Sequence, residues 1–133
     1  MGKPPIVPLV MILVNILLGS IGQVSLRYGA SKLGDLRAGN GIAASLVMAV
    51  KGIFTPYVFL GLSLYAISAV IWILVLNQVR LSFAYPLISL SYVLVVLLSA
   101  AILHERVPID TVAGLVFICL GVSLIGVGYG AGK

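Results

Sequence analysis

A chain of 133 residues that is 62% hydrophobic and 8% charged, with a mean hydropathy of +1.26, has the composition of a protein dissolved in lipid, not in water. Its 13.9 kDa give room for four spans and short loops, which excludes a soluble catalytic domain. The net charge of +5 would point to nucleic acid in a soluble chain, but here the basic residues stand singly at the ends of apolar segments, where they meet lipid headgroups and set topology.

A helix needs roughly 20 apolar residues to cross about 30 Å of hydrocarbon. The first predicted span covers residues 6–28 and follows Pro4 and Pro5; it is longer than a signal peptide and lacks a small-residue cleavage site. Along it Asn15, Gly19, Gly22, Gln23 and Arg27 recur every three or four residues, which places them on one small and polar stripe. The connection that follows, Gly29 to Pro56, carries Lys32, Asp35, Arg37 and Lys51 around an apolar run, Ile42 to Val50, too short to cross. That run either lies at the interface as a helix or extends the second span below Pro56.

The second span is predicted over 57–76, with Tyr65, Ser68 and Trp72 on one face, and the third over 81–103, with Tyr85, Ser89, Tyr92 and Ser99 on one face. Pro86 removes the hydrogen bond to the Ser82 carbonyl and should bend the third helix near its start, as a gate or as a static kink. A short link, residues 104–110, ends in Asp110, a favourable N-cap for a fourth span over 111–127. This last span holds Gly114, Gly121, Gly126 and Gly128 and, apart from Ser123, almost nothing polar; Gly114 and Gly121, seven apart, form a face that allows close backbone approach and reads as an assembly surface.

All four spans should be helices, since helices satisfy their own backbone in lipid, and the chain reads as one all-α domain over 1–133. The stripes on the first three spans have two uses: they hydrogen-bond to one another between helices, or they face a wet cavity or a partner. Arg27, at the end of the first stripe, either snorkels to headgroups or holds an anion with paired hydrogen bonds. The three carboxylates, Asp35, Glu105 and Asp110, all lie outside the depth of the spans. Glu105 reads most simply as an ion pair with Arg106 or another loop base, and the lone Cys119 as a packing residue. No Ser/His/Asp set, metal cluster or phosphate loop is present, so an enzyme, a cofactor and a metal site are not expected. Basic residues number five (Arg27, Lys32, Arg37, Lys51, Arg106) on the side of the first and third loops against three (Lys3, Arg80, Lys133) opposite, a weak bias that favours termini outside the cytoplasm.

The run Ser82 to Leu90 (SFAYPLISL), the Leu103-His104-Glu105 that closes the third span and the segment Gly114 to Val122 resemble the four-helix members of the drug/metabolite transporter superfamily. Within it, Leu17 to Gln23 (LLGSIGQ) and Trp72 to Leu76 (WILVL) ahead of Ala84-Tyr85-Pro86 are similar to the aminoarabinose phosphoundecaprenol flippase subunits. More distantly the chain resembles the small multidrug resistance exporters. They carry a glutamate midway along the first helix and a tryptophan soon after the Ala-Tyr pair, whereas this chain has Gly19 and Ile88 there. Without the acid and the aromatic partner, the physical basis of proton-for-cation exchange is missing.

The resemblance implies a four-helix bundle of the small-multidrug-resistance type, working in a bacterial-type inner membrane as a homodimer or as a heterodimer with a similar small subunit. It implies a flippase of a polyprenyl-phosphate-linked sugar, acting by alternating access. The cargo would be met by Asn15, Gly19, Gln23, Arg27, Tyr65, Trp72, Tyr85, Ser89, Tyr92 and Glu105, with Pro86 as gate and Gly114 and Gly121 at the dimer contact. Export of small polar or cationic solutes, and a non-transporting accessory role, stand as alternatives.

Overall fold

The computed structural model describes residues 6–33 and 41–131; Lys3, Asp35, Arg37 and Lys133, which entered the charge reading, lie outside the described residues. Among these there are six helices: α1 (Ile6–Ser31), α2 (Gly41–Ile53), α3 (Pro56–Gln78), α4 (Leu81–Ile88), α5 (Leu90–Ile102) and α6 (Ile109–Ala131). Four segments have membrane length and apolarity: α1, α3, α4 with α5, and α6 to Tyr129. Each extends past or close to its predicted limits.

The α2 helix settles the choice left open for the apolar run after the first span. At 13 residues it is about 20 Å long, too short to cross, and it is separate from α3. The break comes from Pro56, which has no N–H to continue the α2 ladder but is well suited to the first position of α3. Phe54 and Thr55 close the α2 end with tight bonds to the carbonyls of Lys51 and Gly52.

Helix α1 packs most extensively against α3, and glycines make that contact possible. A Cβ on Gly61 would lie 2.7 Å from the Gly22 carbonyl oxygen and 2.9 Å from the Leu26 nitrogen, and one on Gly29 would lie 2.9 Å from the Val58 nitrogen. The two backbones therefore touch, the arrangement small residues permit in lipid, where apolar side chains gain little by leaving the hydrocarbon for one another. Toward the other end Ile12, Ile16, Val75 and Ala84 form the buried apolar cluster, with Trp72, Leu87 and Ile88 against it.

The third span is interrupted at Ser89, three residues beyond the proline expected to bend it. The Ser89 N–H donates to the Pro86 carbonyl at 3.1 Å, its hydroxyl donates to the same oxygen, and the Tyr92 N–H donates to the Ser89 carbonyl at 3.0 Å. Bonds of this three-residue span and a hydroxyl that competes for a helix carbonyl replace one ordinary turn. At the far end of α5, His104 takes φ +53°, the left-handed geometry that ends many helices. Helix α6 begins at Ile109, and the Pro108 carbonyl accepts from the N–H groups of Thr111 (3.0 Å) and Val112 (3.2 Å). Asp110 is thus inside the first turn and does not cap the helix as expected, although its charge still favours the positive helix end.

Candidate functional site

Helices α1, α3, α4 and the start of α5 surround a cavity of about 230 Å³, lined by Asn15, Ile16, Gly19, Gln23, Tyr65, Ser68, Ala69, Trp72, Tyr85, Ile88 and Ser91. The α1 stripe supplies Asn15, Gly19 and Gln23, while Gly22, assigned to the same stripe by spacing, turns into the α3 seam. Gly19 stays open toward the cavity; its missing side chain leaves space beside the Ser68 hydroxyl, 3.2 Å from where a Cβ would be.

Asn15 is 3% exposed, and its Oδ1 accepts a 2.5 Å hydrogen bond from the Ser68 hydroxyl. With the oxygen used, the amide N–H groups are what Asn15 has to offer a ligand. Trp72 and Tyr85 meet edge to face at 5.5 Å and form an aromatic wall; Tyr65 and Tyr85, both about half exposed, stand toward the outside. No carboxylate lines this cavity. Gly19 and Ile88, which the resemblance sets at the glutamate and tryptophan positions of the cation exporters, both do.

A second, polar pocket of about 290 Å³ lies one turn along α1 and is lined by Gln23, Val24, Arg27, Val95, Ser99, Leu103 and Glu105. Gln23 lines both spaces. Arg27 Nε donates to Glu105 Oε1 at 3.1 Å, and the Ser99 hydroxyl donates to Glu105 Oε2 at 2.5 Å. The left-handed His104 makes this possible: it folds the chain back so that the Glu105 N–H approaches the Ser99 carbonyl (3.4 Å) and the carboxylate reaches across to α1. The hydrogen bond from Ser99, and then that from Arg27 with its charge, hold the Glu105 carboxyl below the usual carboxylate range. Arg27, from the far end of the chain, is therefore the ion-pair partner of Glu105; Arg106, the first expectation, is not. Nearby, the Lys32 ammonium lies 4.6 and 4.7 Å from the ring centroids of Tyr28 and Tyr57, a basic and aromatic group typical of the headgroup level.

Of the residues singled out from sequence, Asn15, Gly19, Gln23, Tyr65, Trp72 and Tyr85 meet in the cavity and Arg27 and Glu105 in the pocket beside it. Ser89 and Tyr92 are in neither. The Ser89 hydroxyl is engaged with the Pro86 carbonyl, and Tyr92 points outward, 60% exposed. The break at Ser89 shifts the helical register, so the lining face of α5 is Ser91, Val95 and Ser99, at intervals of four. Ser99, on the expected face, does line the second pocket; Ser91 was missed altogether, and the four-residue spacing counted back from Ser99 instead of forward from Tyr85 is the signal that finds it. Pro86 belongs to α4 just before the break. Gly114 and Gly121 are remote from both spaces and face open surroundings, with nothing within 4 Å of an added Cβ.

The chain is similar to proteins described as probable 4-amino-4-deoxy-L-arabinose-phosphoundecaprenol flippase subunits. It is 38% identical over 111 residues to subunit ArnF of Proteus mirabilis, covering 82% of this chain and 84% of that protein. It is 31% identical over 127 residues to ArnF of Aeromonas salmonicida (94% and 82% covered) and 31% identical over 116 residues to ArnE of Pseudomonas paraeruginosa (87% and 94% covered). No solved structure matches the chain. Four apolar spans and relatives that are transporter subunits make this a multi-pass inner-membrane protein and not an enzyme. The model of the EamA-like transporter family matches residues 5–127, and the chain belongs to that family.

Proposed function

We propose that this transporter flips a polyprenyl-phosphate-linked sugar of the aminoarabinose type by alternating access. The sugar enters the cavity between α1, α3 and α4, and Arg27 takes the phosphate. The observation that carries this reading is the cavity free of carboxylates, with amide, hydroxyl and aromatic groups on its walls, that shares Gln23 with the pocket of Arg27. Gln23 and Arg27 are one helical turn apart, roughly 6 Å along the axis, so a sugar and the phosphate bonded to it meet both. A guanidinium offers a phosphate paired, charge-assisted hydrogen bonds, while the prenyl chain stays among lipids between the helices.

The relatives' names support a lipid-linked sugar as cargo and a second small subunit as partner. Four spans are few for a closed pathway, and a homodimer or heterodimer with a similar small subunit would complete the walls, rocking to expose the site to each leaflet. Export of a cation is less well supported, because Glu105 is bound to an arginine at the rim and lines no part of the cavity. Native mass spectrometry of the purified protein with undecaprenyl phosphate tests the reading. Arg27→Ala should weaken binding about 10-fold, and Gln23→Ala should weaken binding of the glycosylated lipid more than that of the bare phosphate. Wild-type binding by both variants would refute it.

A further inference from the structure

We propose that Arg27 and Ser99 together form the seat of a phosphate anion, and that Glu105 occupies this seat when no ligand is bound, so that an arriving phosphate displaces an internal carboxylate. The inference rests on the reading of Arg27 as the phosphate end of the site and adds to it a second donor and a competitor.

The geometry is that of a bound oxyanion. Glu105 uses both of its oxygens, one on Arg27 from α1 and one on Ser99 from α5, and so bridges two walls of the pocket as a ligand would. It reaches them from a loop through a left-handed residue, His104, so the carboxylate is a tethered arm and not part of either wall. Space of about 290 Å³ remains in the pocket around it. The contact engages Arg27 through Nε, whereas a phosphate has enough oxygens to take the terminal nitrogens of the guanidinium as well.

The strength of the contact also fits a displaceable occupant. Arg27 is 65% exposed and Glu105 41%, and an ion pair in such surroundings amounts to no more than about a two- to fivefold preference. A phosphate bound through paired charged hydrogen bonds exceeds that. A carboxylate that served the ligand site, by holding Arg27 in position or by meeting a cationic group of the cargo, would behave in the opposite way: its removal would leave phosphate binding unchanged or weaker.

The sign of one substitution separates the two. With full-length protein in detergent and undecaprenyl phosphate as probe, Glu105→Gln and Glu105→Ala should each tighten binding about two- to fivefold. Both lie in an exposed loop, so at least one should fold. Unchanged or weaker binding by both overturns the displacement and leaves the Arg27 reading intact, whereas undiminished binding by Arg27→Ala sinks that reading itself. Ser99→Ala alone removes a bond from carboxylate and phosphate alike and shifts affinity little. In the Glu105→Gln background only the phosphate loses, and binding should weaken severalfold; no loss there removes Ser99 from the seat. Undecaprenol, which lacks the phosphate, should show no gain in Glu105→Gln, and an equal gain would overturn the proposal. Inorganic phosphate alone should also bind Glu105→Gln more tightly than wild type, since the headgroup chemistry alone is in competition with the carboxylate; no difference would count against it.

Discussion

Helices α1 and α6 are both apolar, both of membrane length and both rich in glycine, yet α1 is held by neighbours along its length while α6 packs mainly against α4 and α5, with Val122 its one buried residue among those described. Hydropathy does not distinguish them. What does is the company of the glycines. In α1, Gly22 and Gly29 lie opposite Gly61 and Val58, and polar Asn15 faces Ser68, so backbone contact and a hydrogen bond are both available to α3. In α6, Gly114, Gly121, Gly126 and Gly128 meet nothing within 4 Å. Helix pairing in this protein follows small residues and polar groups, as expected where lipid is as apolar as leucine.

The most severe way to break that contrast is a methyl group in the α1–α3 seam. Gly61→Ala puts a Cβ against the Gly22 carbonyl and the Leu26 nitrogen, both backbone atoms that no rotamer change can move. The cost should be about 3 kcal/mol, at the upper end for overpacking, because neither helix can yield alone. Thermal unfolding in detergent measures it, and a wild-type melting temperature would mean that the two backbones are not in contact.

A smaller effect is expected from the polar link in the same seam. A double-mutant cycle on Asn15→Leu and Ser68→Ala should give a coupling of about 0.6–1.7 kcal/mol, the range for hydrogen bonds between membrane helices. Either single variant should cost more than the pair's coupling implies if it leaves the other group buried without a partner. Additive effects of the two would show that the 2.5 Å contact contributes nothing to α1–α3 association.

How far these features could be read beforehand depended on whether they were local to one helix. The four spans follow from composition, and the cavity face of α1 follows from the four-residue spacing of Asn15, Gly19 and Gln23, because an unbroken helix carries its register throughout. Of the lining face of α5 only Ser99 followed, since the turn at Ser89 displaces the register and the bond of the Ser89 hydroxyl to the Pro86 carbonyl, three residues back, is one local choice among several open to that sequence. The same holds for the partner of Glu105. Arg27 and Glu105 are 78 residues apart, and only the backward fold at His104 brings them together. Which glycines would meet another helix was likewise hidden, because α1 and α6 present equally good surfaces and the chain supplies a partner for one of them.

That last asymmetry sets the least damaging substitution and the most selective one. By the rule that pairs α1 with α3, an open glycine face on α6 is suited to another helix in lipid, and within the dimer proposed above that helix comes from the second subunit. Gly121→Leu fills empty space and replaces a poor helix former with a good one, so the subunit should unfold at the same temperature or slightly higher, by about 0.8–1 kcal/mol at most. Crosslinking in membranes should nevertheless recover less dimer. The two readouts move in opposite directions only if the glycines serve an interface outside the subunit. A lowered melting temperature would mean that α6 packs inward after all, and an undiminished dimer would move the contact to another face, leaving Gly114 and Gly121 as lipid-facing positions.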